Sequence, residues 1–153
     1  MKARSKKRKD IGSCELGIDL ASGKEKELCK WFLACLLFGK PVQQEVAKRT
    51  YFEFVNQGVL SPEEILNAGW DRLVRILDAG HYVRYDFSTA TKLLDVSKEL
   101  LSNYGSVRGL LQQSRNRGDL IARLQQFKGI GPVTARIFTK DFKEKRTWPG
   151  CAQ

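Results

Sequence analysis

No two cysteines in this sequence are spaced CxxC, and the four present (Cys14, Cys29, Cys35 and Cys151) match no metal-ligand interval. Cys29 and Cys35 fall in an apolar helical run, where a free thiol behaves as a small hydrophobe. Core thiols in a reducing compartment are therefore expected. No apolar run approaches the ~20 residues needed to span a bilayer, and residues 31–38, though intensely apolar, suit a buried helix. The basic start is followed by Ile11-Gly-Ser-Cys14 and not by a long apolar stretch, which excludes a secretory signal. An intracellular protein, in cytoplasm, nucleoid or nucleus, is expected. Acid is also scarce: 17 Asp and Glu face 27 Lys and Arg, giving a formal charge of +10. Such an excess favours a polyanionic partner, and nucleic acid before a membrane.

Alternating strand patterns are missing as well, while helical periodicity recurs between glycine-bounded turns. Lys24 to Phe38 reads as a helix stopped by Gly39-Lys40-Pro41, and Val42 to Gln57 as a second. Ser61-Pro62-Glu63-Glu64 is a capping box opening a short helix that ends at Gly69. Trp70 to Ala79 follows, then a longer helix capped by Asp86 or Ser88 and running through Tyr104, then a short one from Val107. The expectation is one all-α domain, a compact bundle of short helices over 24–143. A basic N-terminal arm (1–23) and a basic tail (144–153) flank it. The 42% hydrophobic fraction is enough for a core.

The stretch Leu124-Gln-Gln-Phe127-Lys-Gly129-Ile-Gly131-Pro-Val-Thr134-Ala135-Arg-Ile-Phe138 joins two apolar periodic runs through Gly-Ile-Gly. Glycine adopts the positive φ that a tight helix-to-helix turn needs, and Pro132 suits the first turn of a helix. Bare amides at that helix start suit a phosphate oxygen. Ile130 is expected to point inward. This is the pattern of a helix-hairpin-helix, and it nominates Lys128, Gly129, Ile130, Gly131, Thr134 and Arg136 for contact with duplex DNA, with Lys140 extending the positive face. An αα-hairpin with a glycine cap and no ligand is the competing reading. His81, the sole histidine, reads as a turn residue before a DNA-facing one.

The order of elements resembles the endonuclease III superfamily of DNA glycosylases. Phe32-Leu-Ala-Cys-Leu-Leu-Phe-Gly-Lys-Pro-Val42 resembles that family's LLSAQAT helix and following loop. Trp70 to Tyr82, with Thr89 to Leu94, resembles its middle helices. Phe127-Lys-Gly-Ile-Gly-Pro-Val-Thr-Ala135 resembles its LPGVGRKTA hairpin. The resemblance covers residues 26–140 and implies an endonuclease III-like fold, Lys40 in the position of a wedge into the duplex, and a monovalent cation held by the carbonyls of Phe127 and Ile130. It also exposes departures. Val133 stands where strand-cleaving members have a Schiff-base lysine. No acid occupies the interval of the family's charge-stabilising Asp, so Asp141, Glu144 and Asp86 remain as candidate catalytic acids, Asp141 first. No four-cysteine iron–sulfur motif follows the hairpin, so no cluster and no other cofactor is expected. The resemblance thus implies a backbone-binding domain linked to base-excision repair whose excision chemistry is lost or completed by another chain. An atypical monofunctional glycosylase is the first alternative. A module binding RNA or an acidic partner is the second.

Overall fold

The computed structural model describes residues 10–148, and among them every regular element is helical. The helices are α1 (Glu25–Phe38), α2 (Gln44–Gln57), α3 (Pro62–Ala79), α4 (Asp86–Asn103), α5 (Val107–Gln113), α6 (Arg117–Gln125) and α7 (Pro132–Thr139). Short 3-10 turns cover Ser13–Leu16, Leu20–Ser22 and Lys145–Thr147. No helix among these residues is long and apolar enough to cross a membrane.

α1 is the axis of the molecule. Every residue from Leu28 to Phe38 except Lys30 is buried, so no single face is apolar and the helix must be surrounded. α2, α4, α5 and α7 surround it. Its last carbonyls, which lack intrahelical donors, are met from outside: Lys92 Nζ donates to Leu36 O at 3.0 Å, and the Tyr82 hydroxyl donates to Leu37 O. At its other end Glu25 accepts the amides of Val107 and Arg108 at 2.8 and 2.9 Å, setting a carboxylate on the N-terminus of α5. α2 buries Ala47, Thr50, Tyr51 and Phe54, a stripe at helical spacing.

The Ser61 box is present in full. Ser61 Oγ accepts the Glu64 amide at 3.1 Å, and Glu64 Oε1 accepts those of Ser61 and Leu60 at 3.0 and 2.9 Å. Gly69 interrupts α3 with φ 82°, so the expected short helix and its successor are two arms of one kinked element. The start of α4 departs from expectation. Tyr85 is the cap residue and no side chain caps the helix, while Asp86 already lies inside and accepts the Phe87 amide at 2.7 Å.

Residues 10–23, read from sequence as arm, pack on the core: Ile11, Leu16, Ile18 and Leu20 are buried. Trp148, read as tail, is fully buried against Phe142, which in turn stacks on Phe138 with centroids 5.0 Å apart. Residues 1–9 and 149–153, which include the six basic residues of the expected arm and Cys151, lie outside the described residues. Cys29 and Cys35 are buried and free, as the apolar run suggests; Cys14 is free and exposed.

Candidate nucleic-acid interface

α6 and α7 are joined by residues 126–131, and the two glycines there have different physical reasons. Gly129 has φ 97°, in the region side chains rarely occupy, and a Cβ on it would lie 2.9 Å from Lys92 Cγ. The turn needs this glycine to fold. Gly131 has φ −105° and ψ −168°, an extended backbone open to any residue, and a Cβ on it would meet nothing within 4 Å. The fold does not need this glycine, and its face is open. Between them Ile130 is buried and its amide donates to Phe127 O at 3.1 Å. Phe127 O, one of the two carbonyls expected to hold a cation, is thus already engaged in the turn and keeps one lone pair.

Gly131 is also the cap residue of α7, and no side chain caps that helix. The first amide to find a backbone acceptor is that of Ala135, which donates to Gly131 O at 3.1 Å. The turn before it has N–H groups with no acceptor within the helix, at the positive end of the helix dipole. Lys128, Gly129 and Gly131 are exposed around them, as is Val133 at 42%.

Other nominated residues are positioned differently. Thr134 is buried, packed so tightly on Gly39 that a Cβ there would overlap the threonine hydroxyl. Its hydroxyl is therefore not presented to a ligand, and Gly39 is glycine because α1 and α7 touch at this point, not because its backbone (φ −77°) requires it. Arg136 donates through Nε and Nη2 to Asp10, at 2.9 and 3.0 Å, and that hydrogen-bonded carboxylate raises the guanidinium pKa. Lys140 donates to the carbonyls of Asp10 and Ile11 at 3.3 and 3.4 Å. Both cations hold the N-terminal segment against α7.

Lys40 leans over the Tyr85 ring, 5.2 Å from its centroid, so the 39–43 loop abuts the α3–α4 turn. That turn carries Val83, 60% exposed, and His81, the one non-glycine residue with positive φ among those described. Between the 39–43 loop, α7 and the N-terminal segment runs a cleft of about 200 Å³, lined by Asp10, Phe38, Lys40, Val133 and Arg136. The candidate catalytic acids are elsewhere. Asp141 receives Ser13 Oγ at 3.4 Å and faces another cavity. Glu144 pairs with Arg146 at 3.2 Å in solvent. Asp86 lies beside Asp78, whose carboxyl it pushes up by hydrogen bonding and like charge. The carboxylate that lines the cleft is Asp10, which sequence reading did not single out. No His, Cys, Asp and Glu cluster among the described residues could hold a metal ion.

No protein-family model matches this sequence, and no curated protein matches it. Among solved structures, the 3-methyladenine DNA glycosylase of H. pylori, bound to 1,N6-ethenoadenine, is similar, with a TM-score of 0.57 and 16% identity. The match covers 94% of this chain and 66% of that one, so this chain spans just under two thirds of the glycosylase's length. The likeness establishes an all-α, endonuclease III-like fold.

Proposed function

We propose that this protein grips duplex DNA by its sugar–phosphate backbone through residues 126–131 and the start of α7, inside the cell, in the service of base-excision repair. Gly131 carries the reading. It is a cap without a capping side chain, on an open face, at a position where the fold would accept another residue. A glycine that folding does not require is explained by close approach of a ligand, and uncapped amides at a helix start suit a phosphate oxygen. Lys128, exposed in the same turn, and Lys40, which shares a cleft with Val133, add charge, and the formal charge of +10 adds long-range attraction. A monovalent cation on the Phe127 and Ile130 carbonyls would add positive charge at the same phosphate.

The test is fluorescence anisotropy with unrelated duplexes over a salt series. Binding within a few-fold for all sequences is expected, with log Kd rising by about 0.9 per phosphate contacted for each tenfold rise in salt. Absence of binding at low salt, or strong preference for one sequence, overturns a backbone grip. Equal or tighter binding to single-stranded RNA favours the interaction module instead.

One observation favours a second reading, an atypical monofunctional glycosylase. Asp10 brings a carboxylate to the cleft that Val133 lines, and a carboxylate is the group that steadies positive charge on a sugar. A bidentate tie to Arg136 holds it there. Abasic sites in oligonucleotides bearing uracil, alkylated or oxidised bases would support it. No product at enzyme excess removes it and leaves the excision step to another chain.

A further inference from the structure

α2 ends at Gln57, and the second arm of α3 packs beside that end. An open groove of about 320 Å³ runs along the seam, lined by Gln57, Arg72, Arg75, Ile76 and Ala79. At about 1.5 Å per residue, Gln57 lies roughly 20 Å along α2 from Gln44, which lines the cleft beside Val133. The groove is therefore separate from the site proposed at the hairpin.

Every polar side chain in this lining has donors to spare and no spare charge-bearing acceptor. Arg72 Nη2 donates to Gln57 O at 3.3 Å and to Gln57 Oε1 at 3.2 Å, which fixes the guanidinium against the end of α2. Its Nε and Nη1 have no acceptor among the described residues, and neither has the Gln57 side-chain NH₂. Arg75 is exposed and makes no hydrogen bond or ion pair among them. Helical spacing offers it two carboxylates, Asp71 four residues before and Asp78 three after, and it pairs with neither. Asp78 stands instead beside Asp86. Glu53, one turn before Gln57 on α2, pairs with neither arginine, and no carboxylate lines the groove.

These groups constrain the occupant. Residues three apart on a helix hold their Cβ atoms about 5–6 Å from each other, so two like charges share one mouth and repel. An anion between them removes that repulsion, and the fork of each guanidinium matches two oxygens of one acid group. A carboxylate has two oxygens to offer. A phosphate has more, and the Gln57 NH₂ supplies a further donor to meet them. Ile76 and Ala79 give the remaining wall an apolar character that a sugar or base can cover. We propose that the groove between α2 and α3 binds a phosphate group, with Arg72 and Arg75 donating to its oxygens in pairs and Gln57 donating to another. Two sources share that chemistry, a free phosphate or nucleotide and the backbone of a nucleic acid.

The arginine Nε–H signals in ¹H–¹⁵N spectra of the full chain read the site directly, with Arg72→Lys and Arg75→Lys assigning the two. Inorganic phosphate, deoxyadenosine monophosphate, sodium acetate and a blunt duplex are titrated separately, with chloride holding the ionic strength constant. At least one phosphate-bearing ligand should move both signals with a shared Kd. Movement by phosphate or the nucleotide below about 10 mM supports a free ligand, and Arg75→Gln should then raise Kd about tenfold or more. Movement by the duplex alone supports a backbone, and Arg75→Gln should then lower the salt slope of duplex binding by about 0.9. Arg75 is exposed on a helix, so its variants should keep the parent's thermal melt. Signals unmoved by all three phosphate-bearing ligands overturn the site. So does a Kd, or for the duplex a salt slope, that Arg75→Gln leaves unchanged. Acetate moving both signals as far as phosphate overturns the phosphate class and leaves an acidic protein side chain as the occupant.

Discussion

The two hairpin glycines should separate folding from binding when each is replaced by alanine. At Gly131 the backbone is extended and the new methyl meets nothing. Lower entropy of the unfolded chain favours alanine by about 0.4–1 kcal/mol, and the poorer cap takes back a similar amount. Gly131→Ala should therefore stay within about 1 kcal/mol of the parent, a Tm change of roughly 2–4 °C at this chain length. At Gly129 alanine must adopt φ 97°, which costs about 1–3 kcal/mol. Its Cβ must also displace Lys92 Cγ from 2.9 Å, although that side chain is pinned by its bond to Leu36 O. A loss of roughly 2–4 kcal/mol follows, with Tm lower by about 5–15 °C. Binding should go the other way. On the proposed backbone grip the Gly131 methyl would stand where a phosphate oxygen approaches, and losing a charge-assisted hydrogen bond worth about 1.5–3 kcal/mol would weaken Kd by roughly 10–100-fold. Thermal melts and anisotropy on the same preparations check both halves. A Gly131→Ala protein that melts and binds like the parent would refute the claim that this open face meets DNA.

Asp10→Asn weakens the tie on Arg136 while Lys140 still holds the segment, so duplex affinity should rise about 3–10-fold at low salt and the salt slope should steepen by about 0.9, read from anisotropy over a salt series. An unchanged slope would mean that Arg136 does not face phosphate. Burial, with Lys40 nearby, depresses the Lys92 pKa to about 8, below the roughly 10.4 of a free lysine. Between those values the unfolded chain binds the proton that the folded chain has released, so the folded state gains stability as pH rises. Relative to Lys92→Met, the parent should gain roughly 2–3 kcal/mol from pH 8 to 10 in urea titrations, and the difference cancels the opposing contributions of Cys29, Cys35, Tyr51 and Tyr82, all pushed up by burial. Glu25→Ala removes the acceptor for the Val107 and Arg108 amides and should cost about 1–2 kcal/mol in urea melts, with faster hydrogen exchange in α5.

Local chemistry was legible in the sequence wherever its cause lay within a few residues. The Ser61 box, the hairpin turn and the helical stripes of α2 and α4 all rest on spacings of three or four. The same arithmetic could have corrected Thr134. It stands one turn before Phe138 and beside Ala135, on the face of α7 turned toward α1. Its position at the helix start suggested a ligand, and the periodicity said core. Gly39 escaped for a related reason. Local rules explain a glycine after a helix by its cap, whereas here the steric demand comes from a threonine 95 residues later.

Asp10 shows why the rest was out of reach. Its partner Arg136 is 126 residues away, and no pattern along the chain connects them. One signal was present: Ile11, Leu16, Ile18 and Leu20 follow the basic run and are too apolar to be left in solvent. Four such residues must find a core, and with the segment docked and tied by Arg136 and Lys140 the acid before them reaches the cleft. The family resemblance points to a carboxylate downstream of the hairpin. Packing sets proximity instead, and it gave Arg136 a carboxylate where a phosphate was expected. Whether that acid screens a DNA contact or serves a sugar cation turns on one comparison. A screen makes Asp10→Asn bind DNA more tightly with no base released by either protein, whereas a catalytic acid makes the same change abolish base release.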